Sequence, residues 1–332
     1  MSVATTGVGS LPGTTVRDAI AMPFSEDLQI PYLAELPARG PGADLIGRTA
    51  ARLLDLPVEL YPSAWRFTRR NGIDMRRAND FWSWDLDALQ VAAAEYAGPL
   101  KVALAGPWTL AACIELPNGH RVLTDPGAVR DLRDSLAEGA AALLGEIRRR
   151  VPAADVVLQL DEPSLSAVLA GSVPTASGAA RIDPVGSHEV GDGIQHVIER
   201  AGADVVLHSC APKVPFTLLR TAGASGVLFD ASLLKSHSYD DLGEAVDSGL
   251  VLYAGVVPAG TTPNPSRIDA WAQDARRIAD IAGIPSAEVA ARVGITSDCG
   301  LASASWPVAL ATTRAISAVA KQVRDSPEAS DA

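Results

Sequence analysis

Val205-Val206-Leu207-His208-Ser209-Cys210 places an apolar run directly before a histidine and a cysteine. Short continuous apolar runs are typical of parallel strands that are covered on both faces. In an extended chain, residues i and i+2 point to the same side, so the His208 imidazole and the Cys210 thiolate can converge on one ion. The stretch therefore predicts a buried strand with chemically active side chains at its C-terminal end.

The same kind of apolar run occurs eight times, and helical patterns separate the runs. Asp125-Pro126 is typical of a helix start, and Tyr239–Asp247 and Ser266–Ile281 have helical spacing. Eight strands alternating with helices predict an α/β fold, the (β/α)8 TIM barrel, with an open doubly wound sheet as the alternative. The predicted strands are Val3–Val8, Pro57–Leu60, Lys101–Ala105, Val156–Leu160, Val205–His208, Val227–Asp230, Leu250–Gly255 and Gly294–Ser297.

Polar or conformationally special residues follow most of these runs. In a barrel they would all lie at the C-terminal rim, where active sites are built. The sequence therefore predicts one mouth that combines several functional strand ends. These are Gly9-Ser10-Leu11-Pro12, Gly106-Pro107-Trp108-Thr109, Asp161-Glu162-Pro163, His208-Ser209-Cys210, Asp230-Ala231-Ser232 and Ser297-Asp298-Cys299-Gly300.

Length and composition limit the classes of function. We expect one barrel domain over residues 1–325 and a disordered tail over 326–332. The net charge of −11 argues against nucleic acid and against an anionic membrane as partners. No run has the roughly 18 apolar residues of a membrane span. Three widely spaced cysteines and the lack of a signal pattern predict a cytoplasmic protein.

Cysteine, histidine and aspartate at strand ends predict a metal site. Cys299 ends the eighth run, 89 residues after Cys210, and Asp230 ends a run between them. Two thiolates, an imidazole and a carboxylate form a soft ligand set that favours Zn²⁺ over magnesium or calcium. The competing interpretation is a buried core histidine with two inert cysteines.

These motifs resemble the zinc-binding half of cobalamin-independent methionine synthase, and the resemblance runs over essentially the whole chain. It implies a (β/α)8 barrel, shared with the uroporphyrinogen decarboxylase superfamily, in which zinc binds the homocysteine thiol before that thiol attacks a methyl donor. The motifs that carry the resemblance are Thr5-Thr6-Gly7-Val8-Gly9-Ser10-Leu11-Pro12, Gly106-Pro107-Trp108-Thr109, Gln159-Leu160-Asp161-Glu162-Pro163, His208-Ser209-Cys210, Asp230 and Ser297-Asp298-Cys299-Gly300-Leu301.

The resemblance also implies a role for individual residues. His208, Cys210 and Cys299 match the zinc ligands, and Asp230 stands where the family usually has a glutamate. Ser10 matches the position that contacts the amino-acid substrate. Asp161 matches an acidic residue of the active site, which implies a catalytic and substrate-binding role in holding the substrate ammonium or orienting the methyl donor.

Three features depart from the family pattern. Full-length members have a second, N-terminal barrel that helps to bind folate, whereas we expect a single barrel here. The family histidine after the seventh strand is absent from Gly255–Thr262, and His237 is the nearest candidate for a proton donor. The acidic residue that grips the homocysteine amino group is not evident after the predicted second strand, near Tyr61.

The leading hypothesis is a zinc-dependent S-methyltransferase that takes a small-molecule thiol and a methyl donor, either a folate or a methylated corrinoid. One alternative keeps the zinc thiolate and changes the electrophile to an epoxide. Another is a metal-free barrel resembling uroporphyrinogen decarboxylase, in which the Arg66–Arg77 cluster would bind substrate carboxylates. A non-catalytic zinc protein is the remaining alternative.

Overall fold

A computed structural model of the chain describes residues 3–62 and 64–325; the predicted tail at 326–332 lies outside this part. Its strands are β1 (Val58–Leu60), β2 (Trp65–Phe67), β3 (Gly98–Ala105), β4 (Ala154–Asp161), β5 (Val205–Ser209), β6 (Gly226–Asp230), β7 (Val251–Val257) and β8 (Val293–Ser297). The α-helices are α1 (Val16–Ser25), α2 (Leu45–Ala50), α3 (Ile73–Ala92), α4 (Pro107–Cys113), α5 (Pro126–Arg150), α6 (Leu165–Leu169), α7 (Ser187–Ala201), α8 (Phe216–Thr221), α9 (Tyr239–Asp247), α10 (Pro265–Ile281), α11 (Val289–Arg292) and α12 (Trp306–Asp325).

Six strands, β3 to β8, form one parallel sheet in chain order. Helices connect consecutive strands, as parallel pairing requires. The register pairs Asp161 at the end of β4 with His208 in β5, and Asp230 with Gly255. The predicted strand ends therefore meet at one edge of the sheet, as the sequence predicted for this part of the fold.

Two extended segments near the N-terminus lie beside the edge strands of this sheet. The first makes a parallel bridge to β8, the second makes one to β3, and a further bridge joins the two segments. The bridged pairs are Thr5 with Ile295, Tyr32 with Lys101, and Ser10 with Glu35. Both edges of the six-stranded sheet thus have backbone partners within the described residues.

The prediction that Pro57–Leu60 is the second strand of the barrel is wrong. Val58–Leu60 is a strand, but it pairs antiparallel with Trp65–Phe67 in a separate two-stranded hairpin. The bridge from Tyr32 to Lys101 puts the chain around Tyr32 beside β3 instead. Pro31 interrupts the apolar pattern there, although its carbonyl still accepts a hydrogen bond from the Lys101 N–H at 2.9 Å.

The predicted helices are confirmed, and local chemistry explains where they begin. The Asp125 carboxylate accepts hydrogen bonds from the N–H groups of Gly127 and Ala128 at the start of α5, and Pro126 is its first residue. The helices cover a sheet whose residues Leu158, Leu207 and Leu252 are fully buried. Among the described residues, no helix is long and apolar enough to cross a membrane.

Candidate active site at the strand ends

Five of the predicted site residues line one cavity at the C-terminal edge of the sheet, and Asp230 does not. The cavity has a volume of about 360 Å³, which is within the range of small-molecule sites. Strands β4 and β5 and the turns after the first segment and after β8 supply its functional side chains. Those predicted from the sequence are Ser10, Asp161, His208, Cys210 and Cys299.

The His208 ring is held by Asp161. Its Nδ1 lies 2.7 Å from Asp161 Oδ1, and Gln159 Nε2 donates to the same oxygen at 2.8 Å. This contact puts the proton on Nδ1 and leaves Nε2 with its lone pair. His208 Nε2 is buried and has no hydrogen-bond partner in the described part of the chain, so it is the nitrogen that is available to a metal.

Cys210 and Cys299 converge although 89 residues separate them in the sequence. Their sulfur atoms lie 3.6 Å apart. Two bonds of about 2.3 Å at a tetrahedral zinc would set the sulfurs roughly 3.8 Å apart, which is close to this spacing. A hydrogen bond shared by the two sulfurs lowers the pKa of Cys299 to about 6 and raises the pKa of Cys210.

His208, Cys210 and Cys299 supply the types of donor atom that a soft divalent metal prefers. Within residues 3–62 and 64–325, no group of three or more His, Cys, Asp or Glu side chains is placed so that it could hold a metal ion. The partial set consists of an unpartnered imidazole nitrogen and two sulfurs at a tetrahedral spacing. Three such ligands would leave a fourth position open for a substrate.

Asp230 lies in a neighbouring, smaller cavity of about 140 Å³, which Asp298 also lines. Its Oδ1 accepts a hydrogen bond from the Ser232 N–H at 2.8 Å, at the turn after β6. The structure therefore does not bring Asp230 into the cavity of the two cysteines, and its role as a fourth ligand stays a prediction.

Glu35 is a site residue that the sequence reading missed. It lines the same cavity, is 7% exposed, and bridges to Ser10 through the backbone. Burial raises the pKa of Glu35 to about 7, and the Arg48 guanidinium opposes this rise. Glu35 lies at the end of the second segment, and it is an acidic residue of the kind that the sequence did not show near Tyr61. Assigning Pro57–Leu60 to the second strand hid this residue.

The other sequence candidates lie away from the cavity. His237 is exposed in the short turn Ser236–Ser238. Arg66 donates to Glu115 at 2.6 Å and stacks on the Tyr61 ring, whereas Arg76 and Arg77 are exposed. The described lining of the site cavity includes no arginine, so the cluster cannot serve as a carboxylate-binding set there.

The chain is similar in fold to a solved methionine synthase structure, and it has weaker similarity to two glycoside hydrolases. Among solved structures, a B12-independent methionine synthase from Shewanella sp. W3-18-1 in complex with selenomethionine is 15% identical, with a TM-score of 0.63 over 98% of each chain. A glycoside hydrolase family 5 enzyme from Streptomyces cattleya is 14% identical, with a TM-score of 0.45 over 98% of this chain and 82% of that chain. A psychrophilic family 10 xylanase is 9% identical, with a TM-score of 0.43 over 96% of each chain.

The family itself is shown by sequence. No curated protein matches the chain. The family model of the cobalamin-independent synthase catalytic domain, however, matches residues 91–322, which is most of its length. The chain therefore belongs to the cobalamin-independent methionine synthase family, as the strand-end motifs predicted.

Proposed function

We propose that this protein is a zinc-dependent S-methyltransferase that activates the thiol of homocysteine or a close analogue. The main observation in its support is that the sulfur atoms of Cys210 and Cys299 lie 3.6 Å apart. The same cavity is lined by His208, whose Nε2 has no hydrogen-bond partner among the described residues. Family membership supports methyl transfer to homocysteine and a place in methionine biosynthesis.

His208, Cys210 and Cys299 would hold the zinc ion, with Asp230 as a conditional fourth ligand. Bound zinc would act as a Lewis acid that lowers the pKa of a substrate thiol and keeps its sulfur nucleophilic near neutral pH. Asp161 fixes the ring of His208, and its second oxygen can contact the substrate. Ser10 and Glu35 would bind the amino-acid part of the thiol substrate, with Glu35 facing its ammonium group.

The methyl donor is a folate or a methylated corrinoid in this proposal. The methyl group passes from the donor to the thiol sulfur as the bond to the donor breaks. The relative from Shewanella was solved with selenomethionine, an analogue of the thioether that such a reaction forms. We propose a cytoplasmic location for this reaction.

We also propose that the chain forms a complete (β/α)8 barrel in one domain over residues 1–325. The two bridged N-terminal segments would be its first and second strands. Their bridges to β8 and β3 support this arrangement, because they pair both edges of the six-stranded sheet.

A thiol alkyltransferase with another electrophile, such as an epoxide, is the second candidate. The absence of a histidine from Gly255–Thr262 favours it, because a folate leaving group needs a proton donor and the described cavity lining contains no histidine other than His208. Both candidates share the zinc-bound thiol, so one experiment tests their common part.

Metal analysis and X-ray absorption test this common part. We expect about one zinc per chain, bound through two sulfurs and a nitrogen, and a further zinc–sulfur contact when homocysteine is added. Cys210→Ser and Cys299→Ser should each lose the metal. Cys113→Ser is the matched control, because Cys113 lies on α4 away from the cavity lining and should keep full zinc content. Wild-type protein that purifies without zinc and binds none would contradict both candidates.

A further inference from the structure

Arg48 is a buried cation beside the cavity, and part of its hydrogen-bonding capacity is unused. Its Nη1 donates to the Ala103 carbonyl of β3 at 2.9 Å, and its guanidinium stacks on the Trp82 ring at 3.6 Å. Its Nε and Nη2 are buried and have no hydrogen-bond partner in the described residues. Burying an arginine in this way is costly unless an anion close to it benefits from the charge.

Glu35 is that anion. Arg48 Nη1 lies 3.6 Å from Glu35 Oε1, and the side chains are 3% and 9% exposed. The Arg48 side chain lies behind Glu35, outside the cavity lining, whereas Glu35 faces the cavity. A cation in this position stabilises the carboxylate form of Glu35 without occupying the space of a substrate.

The other charges around Glu35 partly cancel. Asp161 and Asp85 disfavour a negative Glu35, and Lys101 favours it, while burial itself strongly favours the neutral acid. Asp85 is itself paired with Arg39 through two hydrogen bonds of 2.7 and 2.8 Å. Among these charges, Arg48 has the largest effect in favour of the carboxylate form of Glu35.

The backbone around Arg48 holds the guanidinium in place. Asp44 caps α2 by accepting a hydrogen bond from the Gly47 N–H at 2.9 Å, and Trp82 Nε1 donates to the Arg48 carbonyl at 2.8 Å. The side chain is thus fixed at its backbone, at its stacked face and at Nη1. A fixed charge stabilises a neighbouring anion more effectively than one that must first be oriented.

We propose that Arg48 is a positioning residue that favours the carboxylate form of Glu35, so that Glu35 selects thiols that carry a protonated amine. The inference rests on the proposed function, since it concerns how that site recognises its thiol. It goes further in naming the residue that favours the charged form of the recognition group. Arg48 does not contact the substrate in this arrangement.

The test compares two thiols that differ only in the amine: homocysteine and 4-mercaptobutanoate. Their affinities for the zinc-loaded protein are measured as a function of pH, and their ratio cancels effects of pH on the thiol and on the metal. For wild type, we expect the ratio to favour homocysteine increasingly as the pH rises through about 7, the range in which Glu35 ionises. Glu35→Gln should abolish this rise.

Two variants of Arg48 separate its charge from its packing. Arg48→Gln should weaken homocysteine binding about tenfold at neutral pH, the low end of the value of a charge-assisted hydrogen bond, and should leave 4-mercaptobutanoate binding unchanged. In Arg48→Gln, the rise in the ratio of homocysteine to 4-mercaptobutanoate affinity should occur at a higher pH than in wild type, because Glu35 loses a neighbouring cation. Arg48→Lys retains the charge and should keep most of the preference.

Equal losses for both thiols in Arg48→Gln would mean a structural role and would overturn the inference. So would a wild type that binds the two thiols equally. If Arg48→Gln does not fold, infrared spectroscopy of the wild type provides the test. The carboxylic-acid band of Glu35 is identified as the band that Glu35→Gln removes. A Glu35 band that persists well above pH 7 would overturn the inference. Failure of the proposed function is distinct, since wild type would then show no zinc–sulfur contact with either thiol.

Discussion

The Asp161–His208 contact determines which nitrogen of the imidazole faces the cavity. Because Asp161 Oδ1 is 2.7 Å from Nδ1, Nε2 is the ring nitrogen that stays without a hydrogen-bond partner among the described residues. Carboxylates in this position orient a ligating histidine and raise its basicity. In the proposed zinc site, Asp161 would therefore orient a metal ligand, in addition to the catalytic and substrate-binding role that the family resemblance implies.

Replacing Asp161 by Asn should weaken zinc binding by about 10- to 100-fold, the usual effect of removing such a partner. The change keeps the size of the side chain but removes its charge. Competition with a chromogenic chelator measures the zinc affinity directly. Asp155→Asn is the matched control, because Asp155 lies on the same strand at its opposite, exposed end. A variant with normal zinc affinity and a raised KM for the thiol would assign Asp161 to substrate binding alone.

Site residues that are close together in the sequence could be predicted more readily than those that only the fold brings together. His208 and Cys210 lie two residues apart on one strand, so strand geometry was enough to pair them. Cys299 needed the barrel topology as well, and the 3.6 Å contact to Cys210 agrees with it. Glu35 and Arg48 have no such local pattern, since their proximity arises from packing of α2 against β3.

Glu162 links the end of β4 to the start of α4. Its Oε1 accepts a hydrogen bond from the Trp108 N–H, and its Oε2 accepts from the N–H and the hydroxyl of Thr109, at 2.6 to 2.9 Å. A carboxylate can accept all of these bonds and favours the positive end of a helix dipole. Glu162 is fully buried, so this interaction positions the Gly106-Pro107-Trp108-Thr109 turn as a structural cap.

Glu162→Gln should destabilise the protein by about 2–3 kcal/mol, because the amide nitrogen would face N–H groups and leave buried donors unpaired. Chemical denaturation of the zinc-free protein measures this free energy of unfolding. Glu138→Gln is the control: Glu138 is partly exposed on α5 and its carboxylate pairs with Arg200 at the surface, so its loss should have little effect. An unchanged stability in Glu162→Gln would show that the cap is dispensable.

The elements with continuous apolar runs were predictable, and the irregular ones were not. The strands at Val205–His208 and Gly294–Ser297 could be predicted from their apolar residues, because both faces of each strand are buried. The segment around Tyr32 has Pro31 within it and makes few ladder bonds, so its pattern was too weak to identify a strand. The strand Val58–Leu60 was predicted as a strand, but its pairing in a separate hairpin depends on tertiary packing that its own residues do not indicate.

The cavity as a whole depends on the N-terminal segments. Ser10 and Glu35 lie on them and line the same cavity as His208 and the two cysteines, so the site is complete only when both segments are in place. Leu301 N–H donates to the Ser10 carbonyl at 2.8 Å, which joins the first segment to the turn that carries Cys299. A side chain at Gly300 would overlap the Ser10 hydroxyl, so glycine permits this close approach.

Hydrogen exchange can establish whether these segments close the sheet into a barrel. The Ile295 N–H donates to Ala4 O at 2.8 Å, and the Lys101 N–H donates to Pro31 O at 2.9 Å. In a closed barrel both amides should exchange as slowly as that of Leu158 in the middle of the sheet, near the limit set by global unfolding. In an open six-stranded sheet the same amides would lie on exposed edges and exchange much faster.

Deleting residues 3–11 provides the complementary measurement. The first segment accepts hydrogen bonds from the buried Lys101 ammonium through the carbonyls of Gly7 and Val8. Its removal would leave the outer edge of β8 unpaired and take two hydrogen-bond acceptors from the Lys101 ammonium, so we expect loss of cooperative unfolding rather than a modest decrease in stability. A shortened chain that still unfolds cooperatively, with a slowly exchanging Ile295 amide, would contradict closure through this segment.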